Sequence, residues 1–265
     1  SNINPFFLSI MGSIARACAA RDYDLLLSFQ NLSEDWYRRY EEAHRADGLI
    51  LLGYGDYTRS RDVLQRLADA GAHFVLWGPL VEGQPGASVG CDNHTGGLIA
   101  TRHLLATGRR RVGFIGTASD HAPEFRARYL GYQQAHREAG HECPPSLQVN
   151  AESSETEGSR AIADLLQRDP ALDAVFCASD LLAIGAANHL RERGIDVPDR
   201  IGVVGFDDIG AAAYSRPSLT TMRQDSGEAG EALVDTVLQL VEHGAAEPRL
   251  LQPTLVVRDS CGWKQ

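Results

Sequence analysis

Two adjacent carboxylates, Asp207 and Asp208, end the apolar run Ile201–Phe206 in "VVGFDDIG". Adjacent acids repel, and a strand end has no general need for them. Other polar or aromatic side chains follow apolar runs in the same way. "CASD" places Ser179 and Asp180 after one run, "LLGYG" places Tyr54 after another, and "VLWGP" places Trp77 after a third. In open α/β sheets, ligands bind beyond the carboxyl ends of the strands. Carboxylates accept hydrogen bonds from hydroxyls, and an indole covers the apolar C–H face of a ring. Together these residues would suit a polyhydroxylated small molecule such as a sugar. Each also has a structural reading. Ser179 is a good cap for a following helix, and one of the two aspartates is expected to cap a helix over Ile209–Tyr214. Trp77 could equally belong to a core.

Catalytic and cofactor signatures are missing. "GYGDY" at Gly53 holds only the first two glycines of a dinucleotide loop and reads as a loop. There is no G-x-S-x-G elbow and no H-E-x-x-H pair. His136, His141 and Cys143 cluster in sequence but lack ligand-like periodicity, so no metal is assigned. No cofactor and no enzymatic activity are expected.

The elements that must carry these residues follow from periodicity. Short apolar runs without polar alternation read as strands buried on both faces: "YDLLLSF", "DGLILLG", "AHFVLW", "ASVGC", "RVGFIG", "DAVFCAS", "IGVVGF" and "LTTM". Helical patterns lie between them, over Thr95–Ala106, Phe125–Ala139, Gly158–Gln167 and Leu181–Arg193. Gly108, Gly140 and Gly194 follow three of these and suit left-handed closure. Alternation of strand and helix implies right-handed crossovers and doubly wound parallel sheets. Eight strands fit two sheets better than one. "NPFFLSIMGSIARACAARD" begins a helix, with Asn4 as cap and Pro5 in its first turn, before any strand. A strand–helix–strand unit needs a strand before it, so residues preceding Ser1 are expected.

The totals fit this reading. The 265 residues are 43% hydrophobic, enough for a sizeable core. No apolar stretch approaches the ~20 residues of a membrane helix. A net charge of −10 repels phosphate, so these residues alone are not expected to grip DNA. Five widely spaced cysteines fit buried thiols in a reducing compartment better than a disulfide framework.

Longer motifs carry a family resemblance. "NPFF", "DNHTGGLIATRHLLATGRRRVGFIG", "RARYLGYQQAHREAG", "AVFCASDLLAIGAANHLRERGIDVPDRIGVVGFDDI" and "RPSLTTMRQD" resemble the effector-binding core of the LacI/GalR family of transcription regulators. The resemblance covers essentially the whole chain. Arg109-Arg110 stand where Gly-His is usual, and Trp77 stands where an aspartate is common before an arginine.

The resemblance implies a periplasmic-binding-protein-like type I fold: two Rossmann-like lobes with parallel sheets, joined by three crossovers. The N-terminal lobe would comprise residues 1–90 and 225–252, and the C-terminal lobe 91–224 and 253–265, including a last strand in "TLVVRD". A small-molecule effector, a sugar by the chemistry above, would bind between the lobes and change operator affinity. The implied site residues are Asn4, Phe6, Trp77, Glu124, Arg128, Ser153, Ser179, Asp207 and Gln224. Asp207 would accept effector hydroxyls, with Arg128 donating from the opposite lobe, while Asp208 serves the adjacent turn. An acid at Glu124 would favour hydroxyls over phosphates. The implied partners are a second copy in a cytoplasmic homodimer and operator DNA, reached through an N-terminal helix-turn-helix absent from this chain. No membrane is expected. The alternative is a periplasmic sugar receptor on the same fold.

Overall fold

The computed structural model describes residues 4–29, 46–53, 56–81 and 83–263. In chain order the elements begin with α1 (Pro5–Ala19), β1 (Leu49–Leu51), α2 (Tyr57–Asp69), β2 (Phe74–Trp77) and β3 (Ala87–Cys91). Next come α3 (Asn93–Ala106), β4 (Val112–Ile115), α4 (Pro123–Glu138), β5 (Gln148–Val149), α5 (Glu155–Arg168), β6 (Ala174–Cys177) and α6 (Asp180–Glu192). The last are β7 (Gly202–Asp207), α7 (Gly210–Tyr214), β8 (Thr220–Arg223), α8 (Ser226–His243), β9 (Arg249–Leu251) and β10 (Thr254–Val256).

These elements form two compact units. The amino-terminal unit is Phe7–Cys91 with Asp225–Leu251. The carboxyl-terminal unit is Ser1–Phe6, Asp92–Gln224 and Gln252–Gln265. In the first, the strand order is β1-β2-β3-β9, all parallel. Leu51, Leu64, Leu67, Phe74 and Leu76 pack there as a core between α2 and the sheet. In the second, the order is β10-β8-β7-β6-β4-β5. Its strands are parallel except β10, which runs antiparallel to β8, so the sheet of this unit is mixed at one edge. Phe114, Phe176, Phe206 and Tyr132 are fully buried in this unit, each contributing roughly 1.5–3 kcal/mol.

Polar side chains start the helices, as helix ends require. Asp56 accepts from Thr58 and Arg59 N–H, Asp92 from Thr95, Ser154 from Glu157, and Asp225 from Gly227 and Glu228. Two helix pairs in the carboxyl-terminal unit approach backbone to backbone. A Cβ on Gly97 of α3 would lie 2.1 Å from the Arg128 carbonyl oxygen of α4, and one on Gly131 would lie 2.1 Å from that of His94. Likewise, a Cβ on Gly158 of α5 would lie 2.1 Å from the Leu182 oxygen, and one on Gly185 of α6 would lie 1.9 Å from that of Glu155. Only glycine allows these separations. They bring the first turn of α3 beside Arg128, and α5 beside the start of α6.

One expected strand does not form. Tyr23–Phe29, inside "YDLLLSF", has no regular secondary structure, and Leu25, Leu26, Leu27 and Phe29 are exposed. A strand exists through ladder bonds to a neighbour, and this segment has none among the described residues. Conversely, β5, of two residues, and β9, whose three residues begin with Arg249, were not expected.

Candidate functional site

The carboxyl ends of β6 and β7, the starts of α3 and α6 and the second turn of α4 bring one polar cluster together in the carboxyl-terminal unit. Asp207 ends β7 and is 4% exposed. Its Oδ1 accepts from Gln224 Nε2 at 2.7 Å, and its Oδ2 accepts from Asn4 Nδ2 at 3.2 Å. Arg128 Nη1 lies 3.8 Å from Oδ1. Burial pushes the Asp207 carboxyl up, while Arg128, Asn4 and Gln224 pull it back. Asn4 also caps α1, where its Oδ1 accepts from Phe6 N–H at 3.0 Å.

Arg128 and Asp207 belong to the same unit. The expectation that the arginine reaches across from the opposite lobe is therefore corrected. The guanidinium is held on several sides. Its Nε donates to Asn93 Oδ1 at 2.8 Å and its Nη1 to the Ala178 carbonyl. It stacks 3.6 Å over the Phe206 ring, with Phe125 5.3 Å away. A desolvated contact of this kind is worth about 2 kcal/mol. Nothing in the sequence marks Asn93 or Phe206 for this. Their partner lies far along the chain, and only the Gly97–Gly131 approach brings it near.

The two aspartates divide their work. Asp208 Oδ2 accepts from Arg223 Nε and its Oδ1 from Arg258 Nη2, each at 2.7 Å. Asp207 and Asp208 have φ values of 120° and 56°, a region that costs a non-glycine residue roughly 1–3 kcal/mol. Neither aspartate caps α7, contrary to expectation. That helix has no side-chain cap, and the Ile209 N–H at its start donates to Asp180 Oδ2 at 2.8 Å. The arginines on Asp208 leave its carboxylate no part in the cap.

The remaining expected residues are distributed as follows. Ser153 Oγ donates to Ser179 Oγ at 2.8 Å, and Ser179 Oγ accepts from Leu182 N–H, so Ser179 caps α6 directly after Ala178, whose carbonyl holds Arg128. Gln224 is buried. Glu124 is half-buried in the first turn of α4, one turn before Arg128. Phe6 is buried at the start of α1. Trp77 is 8% exposed at the end of β2, in the amino-terminal unit. Tyr54 lies outside the described residues.

This arrangement offers a buried carboxyl, two side-chain amides, two hydroxyls and a fixed guanidinium. It lacks the nucleophile–base–orienter geometry of an acyl-transfer site.

Residues 101–261 match the family described as Periplasmic binding protein-like domain. The ribose operon repressor of Escherichia coli (strain K12) is 30% identical over 98% of this chain and 78% of its own length. A transcriptional regulator CelR–cellobiose complex superposes with a TM-score of 0.86 at 30% identity, covering 97% of this chain and 79% of that one. A LacI family transcriptional regulator from Enterococcus faecium, with bound ribose, gives 0.83 at 25% identity, covering 97% and 94%. These relatives are regulators, which favours that reading over the receptor alternative. The chain belongs to the LacI/GalR family and is the effector-sensing core of a transcriptional regulator.

Proposed function

We propose that the effector is a neutral sugar and that Asp207 is its principal hydrogen-bond acceptor. The observation that carries this is the convergence of Gln224, Asn4 and Arg128 on one buried carboxylate at the end of β7. Sugar hydroxyls both donate and accept, so they can replace the two amides on Asp207 and accept from those amides and from Arg128. Ser153 and Ser179 add hydroxyls beside the start of α6. Trp77, Phe6 and Glu124 are assigned to the site by family resemblance. A phosphate would bring its own charge to Asp207 and Glu124, so phosphorylated sugars bind worse than neutral ones. The ribose and cellobiose named with two similar proteins support the sugar class.

The protein acts as a switch, not an enzyme. An effector that binds one conformation better shifts the population toward it. The coupling to operator affinity is reciprocal. Operator binding belongs to a helix-turn-helix outside this chain, in a cytoplasmic homodimer. The acidic charge of this chain accords with that division.

The test is thermal unfolding against neutral sugars, their phosphorylated counterparts and purines, followed by calorimetry on Asp207→Ala. A neutral sugar at about 100 times its Kd stabilises the chain by ~2.7 kcal/mol. The substitution removes at least one charge-assisted bond, weakening binding about tenfold or more. Stabilisation by phosphorylated sugars or purines alone refutes the neutral-sugar class. Undiminished binding by folded Asp207→Ala refutes the role of the carboxylate.

A further inference from the structure

The carboxylate beneath the site is not accounted for by effector contact. Asp180, the first residue of α6, is fully buried. Its Oδ2 accepts from Ile209 N–H at 2.8 Å, and its Oδ1 accepts from Thr221 Oγ1 of β8 at 2.5 Å. Both partners are neutral, and among the described residues no ion pair reaches it. A Cβ on Gly205 would lie 2.3 Å from Asp180 Oδ1, so β7 passes directly over it. The carboxyl thus ties α6, β7, β8 and the turn after Asp207 at a single point.

The surrounding charges do not favour its ionisation. Asp207 and Asp208 both act on it unfavourably, and Cys177 at the end of β6 offers a thiol whose own ionisation is opposed by burial and by Asp180. Arg128 acts on Asp207, while Arg223 and Arg258 pair with Asp208. Two interacting buried carboxyls do not readily both ionise, and the one with the cation keeps the charge. Burial, with Asp207 beside it, pushes the Asp180 carboxyl well above the usual carboxylate range, while the bonds from Thr221 and Ile209 pull it back only in part.

We propose that Asp180 is a positioning residue that acts as a neutral carboxylic acid, held between Thr221 and Ile209 and fixing the turn that presents an ionised Asp207. The Ile209 bond holds the end of a segment in which two successive non-glycine residues have positive φ. Such a turn persists only where its surroundings over-determine it. Keeping the proton on Asp180 leaves a single negative charge opposite Arg128. The value of this for effector binding rests on the reading of Asp207 given above, but the protonation state does not.

The test is carboxyl-carbon NMR on aspartate-labelled protein without any sugar, with Asp180 and Asp207 assigned by loss of each resonance in Asp180→Asn and Asp207→Asn. At neutral pH the Asp180 carbon is expected at the protonated position and Asp207 at the ionised one. An Asp180 carbon at the ionised position, titrating near the ordinary value of about 3.9, overturns the proposal. Asn at 180 supplies an oxygen to Ile209 and an N–H to Thr221 without charge, so the Asp207 resonance stays where the parent has it. Asp180→Leu removes both bonds and shifts that resonance. Thr221→Val removes one bond, serves if the leucine variant does not fold, and shifts the Asp180 resonance. An Asp207 resonance indifferent to leucine, or an Asp180 resonance indifferent to valine, overturns the positioning role. A neutral Asp180 in a chain that binds no sugar overturns only the effector assignment.

Discussion

His136, near the end of α4, should make the stability of the chain depend on pH in a calculable way. It is fully buried, and neither ring nitrogen has a hydrogen-bond partner among the described residues. Its ring packs edge-on to Tyr132, with centroids 4.7 Å apart, and His141 lies 6.4 Å away. Burial, helped by His141, lowers its pKa from 6.5 to about 4. The folded chain therefore binds this proton less readily than the unfolded chain does. Stability is full above about pH 6.5 and declines as pH falls toward 4, where the imidazole charges in the folded state too. At ~1.4 kcal/mol per pH unit, the loss approaches about 3 kcal/mol. Urea unfolding of the parent and of His136→Phe at several pH values between these limits isolates the effect. The difference between the two curves should widen steadily as pH falls. The phenylalanine should also be no less stable at neutral pH, because it leaves no buried nitrogen unpaired. Parallel curves for the two proteins would refute the reasoning.

Other expectations are as direct. Gly97→Ala places a methyl 2.1 Å from the Arg128 carbonyl oxygen; it should destabilise by about 1–3 kcal/mol in urea unfolding, and an unchanged midpoint would mean that α3 and α4 separate freely. Asp208→Ala strands Arg258 and Arg223 and should cost roughly 1.5–3 kcal/mol, measured the same way, with loss confined to a few tenths if the pairs are merely superficial. Among the five thiols, Cys143 is only half-buried while the others are buried. A thiol reagent followed by mass spectrometry should label it first and Cys177, whose ionisation burial strongly opposes, last or not at all.

Much of the strand–helix alternation was legible because strands buried on both faces leave apolar runs that need no partner to be seen. Tyr23–Phe29 shows the limit of that signal: its composition is right for a strand, but among the described residues no strand pairs with it. The helix starts at Asp92, Ser154 and Asp225 are local chemistry and could be read within a few residues. The start of α7 could not, because its first N–H is taken by Asp180, 29 positions upstream. The same reason hid the support of Arg128. Asn93 is 35 residues away in sequence and is brought near by two glycines whose role shows only once α3 and α4 are packed. Asp207 itself was conspicuous because acids are rare at the end of an apolar run. Its division of labour with Asp208 depends on Arg223 and Arg258, and that is a tertiary fact.

The amide groups on Asp207 have a consequence for selectivity. On the proposed role of Asp207, Asn4 and Gln224 already stand where incoming hydroxyls would go, so the cluster carries its own surrogate guest. A newcomer gains only the difference between its contacts and the ones it displaces, and each amide it dislodges must find a fresh acceptor on the newcomer itself. A molecule with donors alone leaves those amides stranded, and one with acceptors alone leaves the carboxylate bare. Discrimination then follows the order of donors and acceptors around a ring more than their number, and near-isomers differing at one carbon can separate widely without any change in size.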